Sequence, residues 1–219
     1  MEVWRITWFT VACAAGATAL LLPPGVVLAW LLARRTFPGR VLVETFVSLP
    51  LVMPPVATGL ILLMLLGRRG AIGRVLERLG IEVVFTWKAV VLAMAIMGLP
   101  LLVRTARAGF EQVNARYESV AATLGASPAR IFLTISLPLA WPSVLAGAVL
   151  AFARALGEFG ATIVVAGSIP GTTRTLAVAI YGYAETGQDA LAMTLLLVSV
   201  AIAFVALWAA NHLVERRAA

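Results

Sequence analysis

Apolar runs long enough to cross a lipid bilayer recur along the whole of this chain, at residues 6–33, 43–66, 86–103, 139–165 and 190–213. A bilayer core is about 30 Å thick and takes roughly 20 apolar residues to cross as a helix. Backbone polar groups find no water there, so a helix that satisfies its own hydrogen bonds is the economical solution. The pattern predicts an all-α, polytopic membrane helix bundle of about five transmembrane helices. With 62% hydrophobic residues, 12% charged residues and a mean hydropathy of +1.00, residues 1–219 read as a single transmembrane domain. Nothing remains from which to build a soluble catalytic domain.

The N-terminal half of the first run imitates a signal peptide, because Arg5 precedes apolar residues and small side chains follow at 14–17. The run continues through Leu32, interrupted only by Pro23 and Pro24, and is therefore a true span. Pro50, Pro54 and Pro55 make the first half of the second run kinked or irregular. Arg104 and Arg107 close the third, and Asp189 is placed to cap the fifth, which Glu215, Arg216 and Arg217 close. Between the last two runs, a Pro170-Gly171 turn precedes a short apolar stretch at 175–184, a poor sixth span with Arg174 beside it. Trp4, Trp8, Trp30, Trp87, Trp141 and Trp208 all fall near span ends, where an amphipathic ring sits best at headgroup level.

The formal charge of +7 does not indicate a nucleic-acid partner, since the arginines flank apolar runs and line no amphipathic face. They report topology. Nine Lys or Arg residues lie on the side holding the 104–138 loop and the C-terminus, against seven on the other, which places the N-terminus outside and the C-terminus in the cytoplasm. The basic connection at 67–88, containing Arg68 and Arg69, is either a solvated loop balanced by Glu77 and Glu82 or an attractor for an anion or an acidic partner. Cys13 is the only cysteine, so an intrachain disulfide is impossible, and a small buried side chain is its expected role. His212, at the end of the last run, is expected in solvent or near the helix C-terminus.

The loop at 115–138 has a written design. A short helix over 117–124 ends at Gly125, where a left-handed cap is expected. Ser127 and Pro128 then supply an N-cap and a first helical residue for a second short helix to about Ser136, which Pro138 ends. Such a knob is either an amphipathic element on the membrane surface or a body that fits a partner's groove.

The segment ESVAATLGASPARIFLTISLP at 118–138 resembles the ATPase-docking loop of ABC-importer permeases. Gly125, Ile135, Leu137 and Pro138 stand at the family's spacing, while Glu118 stands one position ahead of the family's glutamate. LPLVMPPVATGLILL at 49–63, LGRRGAIG at 66–73, FARALGEFGATI at 152–163 and IPGTTRTLAVAIY at 169–181 are similar to the molybdate branch, although sulfate permeases share the third of these. The resemblance implies a type I permease fold and a cytoplasmic coupling loop carrying Glu118, Ala121, Ala122, Gly125, Ser127, Pro128, Ile135, Leu137 and Pro138. It also implies a separate ATP-binding subunit, a periplasmic or tethered substrate-binding protein and a second copy of the chain. Molybdate or tungstate would be carried, with sulfate or another oxyanion as the alternative. No cofactor or metal is implied. Arg68, Arg69 and Arg174 are the candidates for meeting the substrate or its binding protein.

Arg154 and Glu158, four residues apart, should face the bundle and pair, either as a packing salt bridge or beside Phe159 at a gate on the translocation path. Glycines at 157 and 160 weaken the helix there. No Walker A pattern occurs, so the chain has no ATPase site of its own by sequence. An ion-driven carrier would bury ionisable groups in several spans, and an intramembrane enzyme would need a nucleophile and base or metal ligands. The sequence offers neither set.

Overall fold

The computed structural model describes residues 2–218, with side chains for 2–209 and 212. Every described regular element is a helix. Four are long and apolar enough to cross a membrane: α1 (Glu2–Arg34), α5 (Trp87–Gln112), a continuous element over Pro128–Leu156, and the last helix, α11 (Asp189–Ala218), over its Asp189–Ala209 part. A fifth crossing exists only as a bent pair, α2 (Arg40–Val52) and α3 (Pro55–Leu66), whose axes turn by 115°. The expected span at 43–66 is thus broken outright. Pro54 and Pro55 remove two successive amide donors, which no single kink absorbs.

α5 is the central helix, buried on most of its circumference, and it packs against α1 on one side and α8 (Leu137–Leu156) on the other. Lipid offers no hydrophobic drive between helices, so close approach through small residues does the work. A Cβ added to Gly147 of α8 would lie 3.1 Å from the Leu102 carbonyl oxygen, and one added to Gly98 of α5 would lie 3.3 Å from Ala151 Cβ. α1 runs unbroken through Pro23 and Pro24. Its buried side carries Cys13, Ala14, Ala17, Leu21, Ala29 and Leu32, and Cys13 takes the expected place. α5 continues nine residues beyond the expected end at 103, so Arg104 and Arg107 belong to the helix. There Arg107 bridges Glu44 and Glu111.

The fourth expected span, 139–165, also differs. α8 stops at Leu156, and α9 (Gly160–Ala166) starts after a three-residue break. α10 (Leu176–Glu185) has ten residues, about 15 Å of helix, and cannot cross a bilayer. Asp189 lies in the first turn of α11, not at its cap, because Gln188 supplies the first accepting carbonyl. Its charge still suits that helix end. His212 stacks on Trp208 at 5.6 Å within α11, and the side chains of Glu215, Arg216 and Arg217 lie outside the described residues. α2 buries no residue, and Phe46, Val52 and Met64 are among the large apolar side chains that α2 and α3 leave exposed.

Candidate functional site

Asn114 caps α6 (Ala115–Thr123) by accepting from the Arg116 amide at 2.9 Å, so this helix begins two residues before the expected start. Gly125 adopts φ +84°. Its amide donates to Ala122 O and the Ala126 amide to Ala121 O, both at 3.0 Å. These paired bonds are a Schellman stop, which needs a left-handed residue at the glycine position. Ser127 Oγ then accepts from the Arg130 amide at 3.4 Å, and Pro128 opens α7 (Pro128–Ile131).

The expected second stop does not occur. α7 passes through a π-helical segment, Phe132–Ser136, directly into α8, so that Pro138 lies inside a 29-residue element. The Leu137 amide bonds to Phe132 O, five residues back. The extra residue in that turn shifts the carbonyl register ahead of Pro138 and makes room for its ring without the clash that a regular α-turn would have to absorb. Ala122, Gly125, Ser127, Pro128 and Pro138 are exposed; Ala121, Ile135 and Leu137 are half-buried. Val120, Ala121, Leu124, Ile135 and Pro138 line a groove of about 580 Å³, and Leu124 at the tip is 82% exposed. The knob therefore presents apolar surface with no other described residue of this chain covering it.

Glu118 faces the other way. Its Oε1 accepts from Arg34 Nε at 3.1 Å and from the buried Ser136 hydroxyl at 2.7 Å. Neither Arg34 nor Ser136 carries a local sequence signal for this role, since they lie 84 and 18 residues from Glu118.

The second constellation sits where the two broken spans meet. Arg154 Nη1 approaches Glu158 Oε2 to 2.7 Å, while Oε1 of the fully buried Glu158 accepts from the Ala161 amide at 2.7 Å. The pair expected on one helix face thus straddles a helix end, with the carboxylate capping the next helix. Phe159 packs against Tyr181, ring centroids 5.0 Å apart. A Cβ on Gly160 would fall 2.8 Å from Pro55 Cβ, and one on Gly59 would fall 2.7 Å from Ala161 O, so α9 crosses α3 at the proline corner. Thr58 and Thr162, one on each of these helices, are buried, with hydroxyls that find no partner among the described residues. Sequence reasoning missed this crossing because its signal is two glycines a hundred residues apart.

The basic candidates do not converge. Arg68 lines a cavity with Glu77 and Glu82, pairs with them at 3.9 and 2.8 Å, and holds its proton more tightly than usual because Glu82 accepts its hydrogen bond. Arg69 is exposed. Arg174 lines a different cavity, where its Nε donates to Ser168 Oγ at 3.2 Å and Nη1 stands 3.9 Å from Glu2. α4 (Ala71–Arg78), whose Gly73 and Glu77 help line the Arg68 cavity, is a short helix exposing Ile72, Val75, Arg74 and Arg78. Among the described residues no three His, Cys, Asp or Glu side chains gather as metal ligands.

Two broken spans around a central α5, with an apolar knob interrupting the chain between spans, define a polytopic membrane permease fold. The structure superposes on a chain of a bacterial ABC transporter involved in the import of the acidic polysaccharide alginate with a TM-score of 0.76 at 18% identity, covering 99% of this chain and 80% of that one. The chain belongs to the family described as binding-protein-dependent transport system inner membrane component, which matches residues 25–219. It is 45% identical over 206 residues to the molybdenum transport system permease protein ModB of Escherichia coli (strain K12), covering 93% of this chain and 90% of the relative. It is also 38% identical over 157 residues to the sulfate transport system permease protein CysT of Salmonella typhimurium, covering 72% and 57%.

Proposed function

We propose that this chain is the membrane subunit of an ATP-driven importer that carries molybdate or tungstate. The observation that carries the reading is the exposed knob with its glycine stop, in a chain 45% identical to a molybdenum permease over 93% of its length. ATP hydrolysis belongs to a separate ABC subunit, which takes up the knob around Ala121, Ala122, Gly125, Ser127 and Pro128. Residues 115–138 are the cytoplasmic coupling loop of a single domain spanning 1–219, with the N-terminus outside. Two copies pair across surface such as that of α2 and α3, because one subunit does not enclose a path and those helices leave apolar faces uncovered.

When ATP closes the ATPase pair, the knobs move as rigid bodies and carry the spans between outward and inward arrangements. Arg154, Glu158 and Phe159, at the junction of the broken spans, are the gate candidates, since discontinuous helices concentrate conformational freedom at their breaks. A substrate-binding protein docks outside, near the connection bearing Arg68 and Arg69 and the loop bearing Arg174. Arg68 is already engaged by two glutamates, so Arg69 and the arginines of α4 supply the uncompensated charge.

Reconstitution in proteoliposomes with the cognate ATPase and binding protein tests the reading. ATP-dependent uptake of molybdate with sulfate excluded supports it; uptake driven by an ion gradient without ATP refutes it. The similarity to CysT favours sulfate as the second reading. The binding protein's relative affinity for the two oxyanions decides between them.

A further inference from the structure

We propose that Glu118 is an internal strut, not part of the face that meets the ATPase, and that it delivers motion of the knob to α1 and α8 together. This rests on the coupling function proposed above. Glu118 and Arg34 are 19% and 14% exposed at their side chains, whereas Val120 of the same α6 and Leu124 just past its end face outward. One carboxylate oxygen holds both the guanidinium at the end of α1 and the hydroxyl of Ser136, the last residue of the π segment. The same guanidinium donates through Nη2 to Val113 O, in the link between α5 and α6. The Glu118–Arg34 pair therefore joins α1, α6, the π segment and the α5–α6 link.

The neighbourhood is apolar, which strengthens such bonds. Phe132 of the π segment meets Trp30 of α1 edge-on at 5.2 Å and Phe110 of α5 at 6.2 Å. A π turn holds one residue more than an α turn, so its register can shift, and it is where a long helix yields first. Tying its last residue to α6 makes the knob and the start of α8 one body. Successive residues on a helix are turned by about 100°. A glutamate at 119 would consequently point away from Arg34, toward the solvent that Ser119 now faces. The one-residue displacement from the family pattern is what brings the carboxylate to Arg34.

The test uses the full complex in proteoliposomes, with transport per ATP hydrolysed normalised to assembled complex. E118Q and R34M should each lower that ratio by about tenfold, and the double variant should lose no more than either, because both remove one unit. A double variant about a hundredfold down, the product of independent effects, overturns the strut. So does an unchanged ratio in either single variant, or E118Q losing the ATPase subunit while R34M retains it. If E118Q does not assemble, S136A, which removes only a hydroxyl, should still lower the ratio, and an unchanged ratio overturns the proposal. Spin labels at Thr36 and Thr123 provide a readout without transport. Their distance distribution should be narrow in the parent and broaden equally in E118Q and R34M; unchanged widths overturn the strut. A parent complex that fails to transport counts against the proposed function, and the label pair still decides the strut.

Discussion

Replacing Gly125 isolates a backbone effect from a steric one. Its φ of +84° lies in the left-handed region, yet a Cβ built on it meets nothing within 4 Å. The cost of a side chain is therefore conformational, roughly 1–2 kcal/mol for an ordinary L-residue held left-handed. Such a cost lowers the ratio of formed to unformed turn by a factor of about 5–30. If only the formed turn docks, the apparent affinity for the ATPase subunit falls with the formed fraction, by up to that factor where the unformed turn dominates in the variant. Leucine should behave like alanine, because the space is open. Asparagine, which tolerates the left-handed region, should lose less, and β-branched valine more. The assay is titration of detergent-solubilised permease with the purified ATPase subunit across Gly, Asn, Ala, Leu and Val at position 125. Valine binding as tightly as glycine refutes the argument, and leucine far weaker than alanine shows that bulk in the docked groove, not φ, governs the site.

Three further tests use substitutions at other positions. Arg154→Met strands a fully buried carboxylate and should destabilise the solubilised protein by about 3–5 kcal/mol, whereas Arg154→Met with Glu158→Leu should recover much of it; thermal unfolding in detergent reads both. Gly59→Ala forces α3 away from the backbone of α9 and should cost about 1–3 kcal/mol, while Gly182→Ala, whose Cβ meets nothing, should be neutral or stabilising in the same assay. Ser127→Ala removes a long 3.4 Å cap bond and should cost about 0.5 kcal/mol, the low end for a cap, seen as slightly faster protease cleavage near residues 125–128.

The parts of this fold that the sequence announces are those whose chemistry is local. Gly125 followed by Ser127 and Pro128 encodes stop and start within four residues, and both occur. Gly157 and Gly160 mark the weak point of the fourth run, and the helix does end there. Prolines read less well, because their effect depends on the turn before them. Pro23, Pro24, Pro100 and Pro142 sit inside continuous helices, Pro138 is tolerated by a π segment, and only the Pro54-Pro55 pair breaks its span. Arginine misleads differently. Arg104 and Arg107 mark where charge becomes affordable at the membrane edge, not where α5 loses its hydrogen bonds. The Arg34 contact to Glu118 and the Gly59 crossing with α9 join residues distant in the chain, and no local pattern encodes either.

α8 connects these non-local features. One end begins at the π segment held by Glu118, and the other ends at Leu156, immediately before the break capped by Glu158. Along its length it is keyed to α5 by glycine contacts that leave little room for sliding. A displacement entering at Ser136 therefore leaves most readily as rotation or translation of the whole helix, which acts on the α3 and α9 crossing. Motion absorbed within α8 would need a compliant element of its own between Leu137 and Leu156, and Pro142, the proline in the interior of that helix, is the natural one. Pro142→Ala then separates the two cases. If α8 moves as a body, transport per ATP hydrolysed is retained; if it bends at Pro142, stiffening that turn reduces the ratio while leaving ATPase docking intact.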